Sequence, residues 1–182
     1  MTDRFVIISY TIIYILLFSA CGKNKSKYSE TADKEIKVII PSELSVYQPF
    51  VDYKMDSMKI AQSKYKIYSI IDVSCGSCVG SIKLWKEFDS YIKNKRASII
   101  LICHSSDSFQ SFEYVMESDK EFKFSYPFFY DINNEFISLN KNYLADKNAI
   151  AILTDENNEI IHTGNPIDSN RDKNRFLEII NN

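Results

Sequence analysis

The sequence predicts a mixed α/β fold, a central sheet flanked by helices, and three observations lead there. Lys66–Val73 and Ser98–Cys103 are β-branched and aliphatic runs that read as buried strands. Between them Val79, Ile82, Trp85, Phe88 and Ile92 recur at steps of three and four, one face of a helix. Further on, Ala149–Thr154 and Glu159–Thr163 flank Asp155-Glu-Asn-Asn158, a hairpin turn. The first strand-helix-strand unit closes as a right-handed crossover with two neighbouring parallel strands.

Taken in order, the chain of 182 residues opens on an apolar run, Phe5–Phe18. At about 14 residues it suits a signal-peptide core better than a bilayer span, which needs ~20. The run ends in Ser19-Ala20-Cys21-Gly22, which resembles the lipobox of bacterial lipoproteins. That resemblance implies cleavage before Cys21 and lipidation of its thiol. Phe18 stands where the box usually has leucine, and Arg4 is offset by Asp3, so an uncleaved signal anchor is the alternative. Either way the rest of the chain faces away from the cytoplasm. Lys23–Glu35 is polar and aperiodic, a tether. The expected organisation is a signal peptide over 1–20, a lipid-anchored tether over 21–35 and one folded domain over 36–182.

Lys37–Ile40, before Pro41, reads as a short strand, and the stretch to Lys64 carries mixed signals. The helix after Val73 sets Lys83, Lys86, Glu87 and Lys93 opposite its apolar stripe. Ser98–Cys103 suits a central parallel strand covered on both faces. Ser105–Ser108 offers N-caps for a helix carrying Phe109, Phe112, Val115 and Met116. Tyr126–Tyr130 predicts a short strand, and Ile132, Phe136 and Leu139 are spaced as in a helix. Gly164-Asn165-Pro166 breaks the chain after the hairpin. Arg171–Ile180 closes it as a helix with Phe176, Leu177 and Ile180 inward.

Composition narrows the function classes. An apolar share of 45% with 14% aromatics describes a folded globule. The 22 basic residues against 24 acidic ones, with no basic block, argue against nucleic-acid binding. The four cysteines, Cys21, Cys75, Cys78 and Cys103, are too sparse for a disulfide scaffold.

Cys75 and Cys78 lie where the first strong strand gives way to the first strong helix. Helix N-termini carry unpaired N–H groups and partial positive charge, and both stabilise a thiolate. The thiolate is the species that attacks disulfides. Cys75 falls at or near the N-cap and is expected to be the more exposed sulfur. Cys78, three residues on, lies one turn in, within reach of it. Cys75 is therefore the candidate attacking thiol and Cys78 the candidate resolving thiol. Gly76-Ser77 between them carries no charge to tune the thiolate.

This arrangement resembles the thioredoxin superfamily, in particular envelope thioredoxin-like lipoproteins of Bacteroidetes type. The strand Ile67–Val73, the Cys75-Gly76-Ser77-Cys78 turn and the Ala149–Thr163 hairpin after an inserted βα piece carry it. It covers roughly Lys66 to Asn182. It implies a thioredoxin-like fold and a thiol-disulfide oxidoreductase or redox partner, facing the periplasm or cell exterior. Its partners are expected to be envelope protein thiols and disulfides, with a membrane contact through Cys21 and no cofactor. Two positions depart from the family pattern. Ser74 replaces the usual aromatic residue before the first cysteine. Ala149 stands near the family's cis-proline, and an X-Ala bond prefers trans by ~3 kcal/mol.

Other readings remain. Cys75–Cys78 as a purely structural disulfide in an anchored partner-binding domain is one. Copper binding through Cys75, Cys78 and His162 is another, and a zinc clip lacks further ligands. Cys103 reads as a small core residue more than a third redox thiol. Asp72 is a candidate proton acceptor for Cys78, and His104 a candidate charge near the thiols. A peroxiredoxin needs an arginine beside its cysteine, and Arg96, Arg171 and Arg175 do not stand out.

Overall fold

The computed structural model describes residues 36–48, 60–92, 96–118, 127–144 and 150–182. The expected signal peptide, the tether, Cys21 and Ala149 lie outside the described residues. In chain order the elements are β1 (Ser45–Tyr47), β2 (Tyr65–Asp72), α1 (Gly76–Ile92), β3 (Ala97–His104), α2 (Gln110–Ser118), β4 (Phe128–Tyr130), α3 (Glu135–Asn140), β5 (Ala151–Thr154), β6 (Ile160–Gly164) and α4 (Asn170–Asn181).

The sheet runs β1-β4-β3-β2-β5-β6. β2 and β3 pair in parallel, as the strand-helix-strand pattern requires, with Ile67 opposite Ile99 and Asp72 opposite His104. β4 is parallel to β3, whereas β1, β5 and β6 run antiparallel to their neighbours. β3 is buried along nearly its whole length, which is why its sequence shows no alternation. The hairpin turns through Asn158 at φ 64, a left-handed conformation that asparagine tolerates.

Two apolar layers cover the sheet. On one face Ile67, Ile99 and Leu101 pack with Trp85 and Phe88 of α1, Phe112 of α2 and Phe176 of α4. On the other, Tyr68, Ile100 and Ile152 pack with Phe136 of α3. The central strands are thus clamped from both sides, and the carboxyl ends of β2 and β3 are held at one edge of the core.

Several expectations are corrected. Lys37–Ile40 forms no strand; Lys37 makes a single bridge to Glu159. The backbone of Ile39 is instead bound by the buried Asn140 side chain, which accepts from its N–H at 2.9 Å and donates to its carbonyl at 2.7 Å. Those bonds replace a ladder. Phe109 precedes α2 rather than starting it, at φ 69, and its ring stacks on Tyr130 at 3.9 Å. Ile132 and Leu139 are exposed, and α3 begins only at Glu135. The inward face of α4 is as expected: Phe176 and Ile180 are buried, and Leu177, half-buried, packs against the same core.

The start of α3 depends on Asp131. This buried carboxylate accepts from the N–H groups of Glu135 (2.8 Å), Phe136 (3.0 Å) and Ile137 (3.4 Å). A six-residue helix is marginal without such a cap. Asp131→Ala is expected to cost about 2 kcal/mol, read as a lowered urea midpoint at unchanged m-value, with Asp131→Asn costing less.

Candidate functional site

β2 ends at Asp72 and α1 begins at Gly76, so three residues make the turn that presents the first cysteine. Val73 extends the parallel ladder by donating to the His104 carbonyl at 2.9 Å. The Asp72 carboxylate then accepts from the Ser74 N–H at 3.0 Å and the Ser74 hydroxyl at 2.5 Å. Ser74 Oγ in turn accepts from Ser106 N–H (3.2 Å) and Ser106 Oγ (3.0 Å). The residue that departs from the family pattern therefore ties the loop after β3 to the turn before the cysteines.

The Cys75 carbonyl accepts from Val79 N–H at 3.0 Å, which places Cys75 at the N-cap of α1. Both cysteines are half-buried free thiols, and Cys78 packs against the core. The pair is electrostatically unequal. Hydrogen bonds from Cys78 and then from Ser77 lower the Cys75 pKa from 9.0 to about 7. The Cys78 pKa is raised, first because its proton is engaged with Cys75, then by burial and by the neighbouring thiolate charge. The Asp72 carboxylate adds to that rise. One proton thus stays on Cys78 while Cys75 carries the negative charge.

Ser77 is the tuning residue that sequence reasoning missed. It carries no charge, but its hydroxyl lies 3.1 Å from the Cys75 sulfur. The available signal is a hydroxyl two residues after the N-cap cysteine, inside the first helical turn. Ser77→Ala is expected to move the Cys75 pKa upward from about 7, measured by thiolate ultraviolet absorbance against pH. The wild-type shift also makes stability pH-dependent. Between about pH 7 and 9 the unfolded thiol keeps its proton and the folded one does not. The reduced protein therefore gains stability as pH rises through that window. Ser77→Ala narrows the window.

A cavity of about 700 Å³ opens beside Cys78. Asp72 and His104, adjacent in the parallel register, both line it. The expected candidates Cys75, Cys78, Asp72 and His104 are thus gathered at one end of the sheet. Cys103 is not: it is wholly buried, and burial pushes its thiol pKa far up, as befits a core residue. His162 sits on β6 with its ring 5.4 Å from that of Phe176 and its Nε2 buried without a hydrogen-bond partner. Burial lowers its pKa. It does not line the cavity beside Cys78, which removes the third ligand of the copper reading. Among the described residues no group of three or more His, Cys, Asp or Glu is arranged to hold a metal ion. Arg96, Arg171 and Arg175 do not line the cavity, and Arg175 pairs with Glu178 at 2.8 Å.

No family model and no curated protein matches the chain in sequence. Solved structures do match it in shape. One is a thioredoxin-like protein in the oxidized form, with a TM-score of 0.56 and 13% identity over 80% of this chain and 97% of that one. A second, from Bacteroides vulgatus and provisionally assigned as a thiol-disulfide oxidoreductase, gives 0.54 and 20% over 79% and 91%. A third, from Chlorobium tepidum and provisionally assigned as the thiol:disulfide interchange protein DsbE, gives 0.52 and 11% over 81% and 98%. Strand order, helix placement and these likenesses together give the chain a thioredoxin-like fold, with Cys75 at the junction where β2 passes into α1.

Proposed function

We propose that this protein is a thiol-disulfide oxidoreductase or redox partner that cycles Cys75 and Cys78 between dithiol and disulfide. One observation carries the reading: two free thiols stand one helical turn apart, Cys75 at the N-cap of α1 with the Ser77 hydroxyl 3.1 Å from its sulfur, and Cys78 packed against the core. The Cys75 thiolate attacks one sulfur of a substrate disulfide. A Cys75–substrate bond forms, the substrate S–S bond breaks, and the leaving sulfur takes up a proton. Cys78 then loses its proton and attacks the Cys75 sulfur. The second substrate thiol leaves, and a Cys75–Cys78 disulfide remains. The substrate is reduced by two electrons and the protein is oxidised by two; run backwards, the cycle oxidises a dithiol.

The reading places the protein in the bacterial cell envelope, held to a membrane by lipid on Cys21 and facing the periplasm or exterior. Residues 1–20 act as the signal peptide, 21–35 as the tether and 36–182 as the exchange domain. Envelope protein thiols and disulfides are its partners. The Ser19-Ala20-Cys21-Gly22 sequence supports the anchor, and palmitate labelling of wild type but not Cys21→Ser tests it. For the exchange itself, dithiothreitol is expected to reduce the Cys75–Cys78 disulfide, and the reduced protein to reduce insulin. A chain that neither forms that disulfide nor reduces insulin contradicts the proposal.

A further inference from the structure

The cavity beside Cys78 bears on what the proposed exchange site accepts, and the inference rests on that exchange reading. Its wall is aliphatic. Leu84 comes from α1, Ile137 from α3, Leu144 from just beyond α3, and Ile150 and Ile167 from the chain before β5 and α4. At about 700 Å³ it lies within the usual range of ligand pockets, roughly 300–1,000 Å³.

Among the described residues its charge is one-sided. Apart from the Cys78 thiol, the ionisable side chains lining it are Asp72, Asp168 and His104; no lysine or arginine lines it among the described residues. The two carboxylates are held by neutral donors. Asp72 accepts from Ser74, and Asp168 accepts from Asn165 Nδ2 at 3.1 Å. Neither bond neutralises the charge it receives. Among the described residues, a group entering beside Cys78 therefore meets an apolar wall and two carboxylates.

We infer that this cavity takes an aliphatic residue next to the substrate's cysteine, in a neutral or cationic polypeptide segment, and rejects glutathione disulfide. Each half of glutathione disulfide carries two carboxylates against one ammonium, and it offers no aliphatic side chain. Bringing it to Cys75 sets its carboxylates against Asp72 and Asp168 and leaves the wall unfilled. A segment carrying Leu and Arg beside its cysteine fills the wall and meets the carboxylates with opposite charge.

The test uses the reduced full-length protein and four disulfides. One is a peptide disulfide with Leu and Arg flanking cysteine, the second the same peptide with Asp in place of both, and the third glutathione disulfide. The fourth, hydroxyethyl disulfide, is small and uncharged and reads the thiols alone. The Leu/Arg peptide is expected to be reduced roughly tenfold faster than either the Asp peptide or glutathione disulfide. Asp168 is exposed, so Asp168→Lys reads the carboxylate charge without disturbing the core, and it is expected to shrink or invert that ratio. Leu84→Arg, at a side chain 40% exposed, should shift the ratio in the same direction. Equal rates for the three charged substrates, or a ratio unmoved by both variants, overturn the inference while leaving the exchange reading intact. Failure to reduce hydroxyethyl disulfide overturns the exchange reading, and this inference with it.

Discussion

Cys75→Ser is expected to reduce disulfide exchange to the uncatalysed background, while Cys78→Ser leaves a protein that captures substrates and cannot release them. The asymmetry follows from where the proton resides. Cys75 sits at the N-cap of α1 and keeps its charge through hydrogen bonds from Cys78 and Ser77. A serine there has no thiolate to offer, and Cys78, with its raised pKa and core packing, makes a poor substitute attacker. In Cys78→Ser the first attack still occurs, because Ser77 continues to lower the Cys75 pKa. The second attack has no sulfur, so the mixed disulfide accumulates and is visible on a non-reducing gel. Equal trapping by the two single variants contradicts the assigned roles.

Trp85→Ala is expected to destabilise the domain by about 3–5 kcal/mol, a large share of the ~5–15 kcal/mol typical of whole proteins. Trp85 is wholly buried and meets Phe88 edge-on at 5.7 Å; Phe88 meets Phe176 in the same way at 6.5 Å. Removing the indole leaves a void in the core beneath α1 that rigid aromatic neighbours cannot fill. Trp85→Phe is expected to cost much less. The indole Nε1–H is buried without a hydrogen-bond partner, so replacing it removes an unmet polar group along with some volume. Urea denaturation of the three proteins separates these cases, and a loss below about 1 kcal/mol for Trp85→Ala argues against a tightly packed α1.

The parts of the fold legible in the sequence are those where local pattern and tertiary need coincide. α1 shows its buried face at Val79, Ile82, Trp85, Phe88 and Ile92 because one side packs on the sheet and the other meets water. β3 shows a continuous apolar run because both its faces are covered. The position of Cys75 followed from β2 and α1, between which it falls. β1 was not legible: three residues are too few to reveal a period, and only pairing with β4 makes them a strand. Lys37–Ile40 has strand-like residues, but Asn140, far along the chain, takes up the backbone groups of Ile39. Ile132 and Leu139 have helical spacing with nothing to bury them, since the Asp131 cap sets the start of α3 at Glu135.

The site divides in the same way. Strand-to-helix placement is a local property, and it made both cysteines candidates. The Ser77 bond to Cys75 depends on a rotamer, and the Ser74–Ser106 link joins loops 32 residues apart. The cavity beside Cys78 draws its walls from α1, β2, β3, the α3 region and the chain before β5 and α4, so no stretch of sequence contains it.

The most direct test of the central claim is the alkylation rate of each cysteine in the reduced protein as a function of pH, resolved by peptide mapping. The structure predicts that Cys75 is modified first, with a midpoint at about pH 7, while Cys78 lags and the buried Cys103 stays unmodified. A Cys75 midpoint at or above 9.0, its ordinary value, or modification of Cys78 ahead of Cys75, contradicts it.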